Sequence, residues 1–311
     1  MNQAALAIKI ANACFDAETI IFDPEHPFIG ASSIMPLYND NRKLLSKLQT
    51  RQLVTDGFIQ IIQQQKMQFD AIAGTSLSGI PHAASLAQRY NTPLVLLHND
   101  NAYLAPQCTR NELFHKQSPE ALASTAPLAM AEGVRMANDR GIGYLYVRRS
   151  KKEHGKGQRI EWDAKKQNVV LLDYHLGDSY VSSAKAALRE KNIKILAVHS
   201  ISAKLIPYHI KDKRILFVED LVNTAKSVCQ EIQQYKSLGA KITDCLTICD
   251  YTLITAKKQF ANEACNQHSI ITLEHLLTVA QERSQITQHQ LQAIREWQTN
   301  PDAWSERRRT T

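Results

Sequence analysis

The sequence has no clustered cysteines, no long apolar run and no basic leader. Its six cysteines, at positions 14, 108, 229, 245, 249 and 265, are scattered over 311 residues. That spacing excludes a disulfide scaffold and points to reduced thiols in a cytosolic protein. Cys245 and Cys249 enclose Leu246-Thr247-Ile248, a run that reads as a buried strand rather than a metal site. No apolar stretch approaches the roughly 18 residues that a membrane span needs. The opening MNQAALAIKIANACFDAE shows no basic head followed by an apolar core, so no signal peptide is expected. Charged residues make up 22% of the chain, with 11 glycines and 10 prolines, which excludes a disordered or collagen-like protein.

What is present is a mild basic excess, 37 Lys and Arg against 30 Asp and Glu, for a net charge of +7. Its distribution matters more than its size. One concentration is Arg307-Arg308-Arg309, which as a terminal triplet is expected to be a solvated tail. The other, Arg148-Arg149-Ser150-Lys151-Lys152, lies between an apolar run and a glycine-rich turn. On charge alone it is equally a phosphate-binding loop or an exposed turn.

Apolar runs alternate with amphipathic stretches. Phe69–Ala73, Tyr144–Val147, Val169–Leu172, Ile193–Val198, Ile215–Val218 and Ile242–Cys249 read as strands. Ile80–Ala87, Tyr180–Arg189 and Ser227–Leu238 read as helices. Strands apolar on both faces and alternating with helices predict an α/β fold with a parallel sheet covered on both sides. Ligands in such sheets bind at the carboxyl ends of the strands. No linker rich in Gly, Ser or Pro separates the pieces, so one domain with appended elements is expected.

Three strand ends carry candidate chemistry. After the first strand comes Gly74-Thr75-Ser76-Leu77-Ser78-Gly79 before a helix. This is either an anion site at a helix start or a purely structural turn. The second is the basic segment Arg148 to Gly157, whose self-repulsion a polyphosphate would relieve, as suits a closing lid; an exposed hairpin is the plainer reading. The third, Ile215-Leu216-Phe217-Val218-Glu219-Asp220-Leu221-Val222-Asn223-Thr224-Ala225-Lys226-Ser227, runs from a strand into paired carboxylates, a polar turn and a helix. Two acids after a buried strand add nothing to a core and are costly to bury. They can reach sugar hydroxyls, or magnesium through water, and the turn can offer donors to a phosphate.

The stretch from Ile215 to Ser227 resembles the ribose-phosphate signature of the type I phosphoribosyltransferases. Tyr146 to Glu161 is similar to the mobile loop of the orotate phosphoribosyltransferase family. Pro36-Leu37-Tyr38-Asn39-Asp40-Asn41-Arg42, Ile72 to Thr75 with Gly79 to Ala84, and Arg295-Glu296-Trp297 with Pro301 to Trp304 fit the same family in order. The resemblance implies a type I phosphoribosyltransferase-like parallel sheet flanked by helices. It would comprise an N-terminal hood over residues 1–65, a core over 66–271 and a C-terminal helical segment over 272–311.

The implied reaction joins orotate to phosphoribosyl pyrophosphate, giving orotidine monophosphate and pyrophosphate with Mg2+, in the cytoplasm. The resemblance also implies a homodimer whose loop is shared between subunits; no membrane partner is expected, and a nucleic-acid partner is the second-placed reading of the basic charge. Two alternatives stay open: a regulatory or ligand-binding protein of this fold with weak or lost catalysis, and a phosphoribosyltransferase for another base. By position, Glu219 and Asp220 would hold the ribose hydroxyls, with Mg2+ nearby through substrate. Leu221 and Val222 would lead into Asn223, Thr224, Ala225, Lys226 and Ser227, the cradle of the 5′-phosphate, with Asn223 also beside orotate. Arg148, Lys152 and His154 would act on the pyrophosphate, with Arg149 beside them. Gly74, Thr75, Ser76, Ser78 and Gly79 would form the opposite wall.

The chain departs from the family in two respects. Ala225 and Lys226 stand where the phosphate turn has two glycines, so a positive φ there would be strained; Lys226 offers charge instead. Insertions are expected near 98–138 and 162–212, both long for connections. The second contains Val169 to Ser179, which is either a worn copy of Ile215 to Ser227 or the common look of any strand–turn–helix. A copy would make Asp173 to Ser179 a rival ligand turn.

Overall fold

A computed structural model describes residues 2–29, 34–105, 118–147, 160, 168–174, 178–201 and 206–309. The hood opens with α1 (Gln3–Asp16), capped where the Asn2 side chain accepts the Ala5 N–H at 2.8 Å. It continues through β1 (Ile20–Phe22), β2 (Phe28–Ile29), β3 (Ile34–Met35), β4 (Leu37–Asn39), a 3-10 turn (Asn41–Ser46) and α2 (Leu48–Gln65). The first α/β stretch is β5 (Ala71–Gly74), α3 (Ile80–Tyr90), β6 (Leu94–His98) and β7 (Asn101–Leu104). Next come β8 (Ala121–Ser124), α4 (Pro127–Arg140), β9 (Gly143–Tyr146), β10 (Asn168–Tyr174), α5 (Asp178–Glu190) and β11 (Lys194–Ile201). The chain returns through β12 (Ile206–Pro207), β13 (Ile215–Val222), α6 (Lys226–Ser237), β14 (Asp244–Asp250), α7 (Ile254–Asn262) and β15 (Asn266–Thr272). It closes with α8 (Leu273–Glu282), α9 (Gln288–Thr299) and α10 (Pro301–Arg309).

Beyond two antiparallel pairs in the hood, β1 with β4 and β2 with β3, the strands form two larger sheets where the sequence predicts one. The outer sheet has seven strands in the order β12-β7-β6-β5-β13-β14-β15; the inner has four, β11-β10-β8-β9, all parallel. The strand at Tyr144 to Val147 therefore pairs with β8, not with the strand that follows Phe69. α3 leads instead to β6 within the outer sheet. The stretches expected as separate insertions, together with the strand between them, make one continuous α/β unit. Strand periodicity shows that a segment is buried on both faces, but sheet membership depends on distant pairing partners, which no local pattern encodes.

Alternating side chains sort the interior into three layers. Ile72, Leu216 and Val218 from the outer sheet and Leu122, Val170 and Leu172 from the inner one share a central core with α3, α4 and the hood. Phe217, Ile215 and Cys245, on the far face of the outer sheet, pack against α6 and α7. Leu145, Val169 and Leu171, on the far face of the inner sheet, pack beneath α5. Each fully buried aliphatic side chain contributes about 1.5–3 kcal/mol. The terminal arginines continue α10 rather than fraying as a tail, and the Arg308 guanidinium stacks 3.6 Å from the Trp304 ring centre.

Candidate functional site

β13 carries Glu219 and Asp220 to the end of the outer sheet, with only 6% and 9% of their surfaces exposed. Beside it β5 ends at Gly74, and the turn before α3 folds back onto β13. One oxygen of Glu219, Oε1, accepts three hydrogen bonds: from Thr75 Oγ1 at 2.8 Å, Ser78 Oγ at 2.9 Å and the Asp220 backbone N–H at 2.7 Å. Burial, and then the adjacent Asp220 charge, push the Glu219 carboxyl well above its ordinary pKa. The two acids differ in environment: Glu219 is locked by its donors, whereas Asp220 lies two residues before the end of β13, its carbonyl bonded by Asn41 of the hood.

The two glycines of the turn are needed for contact with protein. A side chain at Gly79 would overlap the Val218 carbonyl oxygen, and one at Gly74 would lie 2.7 Å from the Gly79 oxygen. Between them Leu77 sits at φ +73°, unfavourable for a bulky residue. The Ser76 N–H, which an anion bound in this turn would seek, donates to Glu231 Oε2 of α6 at 2.8 Å, and Ser76 Oγ bonds the same oxygen at 3.1 Å.

Past β13, the turn of Asn223 to Ala225 leads into α6. Ala225 takes the left-handed conformation, φ +62°, as a glycine would at that place. Lys226 begins the helix. Asn223 Nδ2 donates to Met35 Sδ of the hood at 3.2 Å, while its Oδ1 is buried with no partner among the described residues. Strained non-glycine residues at both turns flank the paired acids, and such strain gathers at binding sites.

The structure thus brings together Gly74 to Gly79, Glu219 to Val222 and the Asn223 to Ser227 turn. Arg148, Arg149, Lys152 and His154 lie outside the described residues. Several neighbours escaped the sequence reading as site residues. Asn41 Nδ2 bonds the Asp220 carbonyl at 2.8 Å. Arg42 bonds Asp40 Oδ1 at 2.6 Å; burial opposes its charge, but Asp40 and Asp220 more than offset that and raise its pKa. His82 is buried, and desolvation drives its pKa down to about 4, although the Asp220 charge pulls the other way. The hood segment and the Gly79 to Ala84 helix start were legible as motif pieces; their convergence on Asp220 was not.

Of the rival turn, Asp173 and Tyr174 close β10 in the inner sheet, and residues 175–177 lie outside the described residues. There Asp173 Oδ1 accepts from Thr125 Oγ1 at 2.7 Å, and the next residue is Tyr174 instead of a second acid.

No family model matches the chain. Its fold is that of the type I phosphoribosyltransferases. It superposes on UMP synthase from Leishmania donovani with a TM-score of 0.53 and 16% identity, covering 94% of this chain and 42% of that longer one. In sequence the chain is similar, over nearly its whole length, to proteins named orotate phosphoribosyltransferase. The one from Streptococcus thermophilus is 24% identical over 302 residues, covering 97% of this chain and 99% of that protein. The one from Coxiella burnetii is 23% identical over 305 residues, covering 98% and 99%. No described helix is long and apolar enough to cross a membrane.

Proposed function

We propose that the protein transfers the phosphoribosyl group of phosphoribosyl pyrophosphate to orotate. The bond from C1′ to the pyrophosphate oxygen breaks, a bond from C1′ to the orotate ring nitrogen forms, and orotidine monophosphate and pyrophosphate leave. One observation carries this reading: paired acids near the end of a central parallel strand that leads into a strained polar turn at a helix start. Glu219 and Asp220 accept hydrogen bonds from the ribose 2′- and 3′-hydroxyls. Backbone N–H groups from Asn223 to Ser227, with the Thr224 hydroxyl and the Lys226 charge, take the 5′-phosphate. Asn223 and the hood strand carrying Met35 flank the place of the base.

The ribosyl centre gains positive character as the leaving group departs, so the departing charge must be neutralised and water excluded. Arg148, Lys152 and His154, with Arg149 beside them, are the cations assigned to the pyrophosphate. Orotate reacts as the anion of its ring nitrogen, so no general base is needed. The donor set suits magnesium, which keeps several waters and binds through one or two carboxylates plus substrate phosphates. Bound there, it would supply charge neutralisation on the pyrophosphate. The reaction belongs to pyrimidine biosynthesis in the cytoplasm. The test is formation of orotidine monophosphate with Mg2+ by wild type and Lys152→Ala. Loss in the variant supports the proposal; equal, negligible rates overturn it.

A second reading, a phosphoribosyl-binding protein without turnover, is favoured by Glu231, whose carboxylate holds the Ser76 N–H. Binding of phosphoribosyl pyrophosphate with no product, in wild type and in Glu231→Gln, would establish it.

A further inference from the structure

The two α/β units repeat one another position by position. In the outer sheet Ala71 pairs with Ile215 and Ile72 with Leu94; in the inner sheet Ala121 pairs with Val169 and Leu122 with Tyr144. The bond of Thr75 to Glu219 has its counterpart in that of Thr125 to Asp173. α3 ends on left-handed Asn91, with Asn91 N–H to Gln88 O and Thr92 N–H to Ala87 O. α4 ends on left-handed Gly141, with Gly141 N–H to Asn138 O and Ile142 N–H to Ala137 O. One constant shift in numbering relates every pair of positions from β5 to β6 to those from β8 to β9.

The units also face each other symmetrically. Matching faces of the two sheets turn toward the same central core. α3 and α4 meet through equivalent positions: Asn138 Nδ2 donates to Oε1 of Gln88, its own counterpart, at 3.0 Å. Gln88 Nε2 reaches the Arg135 carbonyl at 3.4 Å, and reciprocally Asn138 Nδ2 reaches Ser85, the counterpart of Arg135, at 3.1 Å. Reciprocal contacts of this kind define a two-fold axis. They are not a general property of adjacent strand–turn–helix units.

We propose that the chain is its own dimer: two copies of one unit paired about an internal two-fold, with a single ligand site at the end of β13. The first part stands on geometry alone. Every residue from Ile80 to Ala87 is buried, so α3 has no face left on that stretch for a second subunit; α4 occupies it. The second part rests on the function proposed above. The inner copy has lost the parts that would grip a phosphoribosyl group. Tyr174 replaces the second acid, and α4 begins at Pro127, leaving Ala126 alone where the outer copy has Ser76 to Gly79. Asp173 therefore bonds one hydroxyl among the described residues, where Glu219 gathers three donors.

Sedimentation of the full chain should show one species of 35.1 kDa. Calorimetric titration with phosphoribosyl pyrophosphate and Mg2+ should give one ligand per chain. Asp173→Asn should leave that titration unchanged, and Asp220→Asn should weaken it at least about tenfold, the loss of one charge-assisted contact. A stable species of twice the mass overturns the self-contained dimer. Two ligands per chain, or loss of binding in Asp173→Asn, overturns the single site. A 35.1 kDa species that binds nothing leaves the internal two-fold standing and removes the phosphoribosyl reading instead.

Discussion

Glu219 illustrates a site residue held against its own stability. Its folded carboxyl keeps its proton to a higher pH than the unfolded chain does, so its contribution to stability falls as pH rises above about 4.5. Glu219→Gln keeps an oxygen for Thr75, Ser78 and the Asp220 N–H while removing the buried charge. Thermal unfolding at pH 7 should show a higher midpoint for this variant, while phosphoribosyl pyrophosphate no longer protects it. Ala225 carries the opposite kind of strain. Its φ of +62° costs an L-residue about 1–2 kcal/mol, part of which glycine returns as chain entropy. Ala225→Gly should therefore raise the midpoint by a few degrees, about 2–4 °C per kcal/mol gained, and should not weaken phosphate binding. A lower midpoint would show that the methyl group packs better than the strain costs.

Among elements, the α3–α4 contact is the critical joint. Asn138 donates to Ser85 and Gln88 and accepts from Arg51 Nε at 2.8 Å. Arg51 is itself buried and binds the Leu45 and Ile142 carbonyls at 2.6 Å each, tying hood, α3 and α4 together. Burial lowers its pKa to about 10, still far above neutral, so the guanidinium stays charged and needs every acceptor. Asn138→Ala leaves one of its donors facing no partner, at a cost of about 1–3 kcal/mol. Urea unfolding should show that loss as a lower midpoint with unchanged slope; an unchanged midpoint would mean that the joint is held by apolar contact alone. The extents of α3 and α6 were largely readable from apolar spacing and, for α3, from Gly79-Ile80-Pro81 at its start. The pairing of α3 with α4 was not readable, because both present small and polar residues on the shared face and neither pattern names its partner.

For the whole molecule, the three layers are joined by one central core shared by both sheets, so both units should unfold together. The acid side of that transition has an identifiable contributor in His82. Its folded pKa of about 4 lies below the ordinary 6.5, so the unfolded chain takes up the proton first. The stability that depends on neutral His82 is present in full above pH 6.5 and is lost as pH falls from 6.5 toward 4. The midpoint of His82→Gln should fall less steeply than wild type across that window; parallel slopes would place the acid sensitivity elsewhere.

The chemistry-bearing residues and their local setting were determined by the sequence itself. Glu219-Asp220 after an apolar strand, the Gly74 to Gly79 turn before a helix, and the basic Arg148 to Lys156 run are local patterns. Their meaning follows from burial cost, backbone freedom and charge density within a few residues. The tertiary structure alone decided that Tyr144 to Tyr146 belongs to a second sheet and that Val169 to Leu172 pairs with β8 as Ile215 to Val218 pairs with β5. It also decided that Thr75, Ser78 and the Asp220 N–H converge on a single carboxylate oxygen. Each of these depends on which distant strand or helix a segment meets, and equally apolar strands offer many such partners of similar energy. Only simultaneous closure of both sheets around one core selects among them.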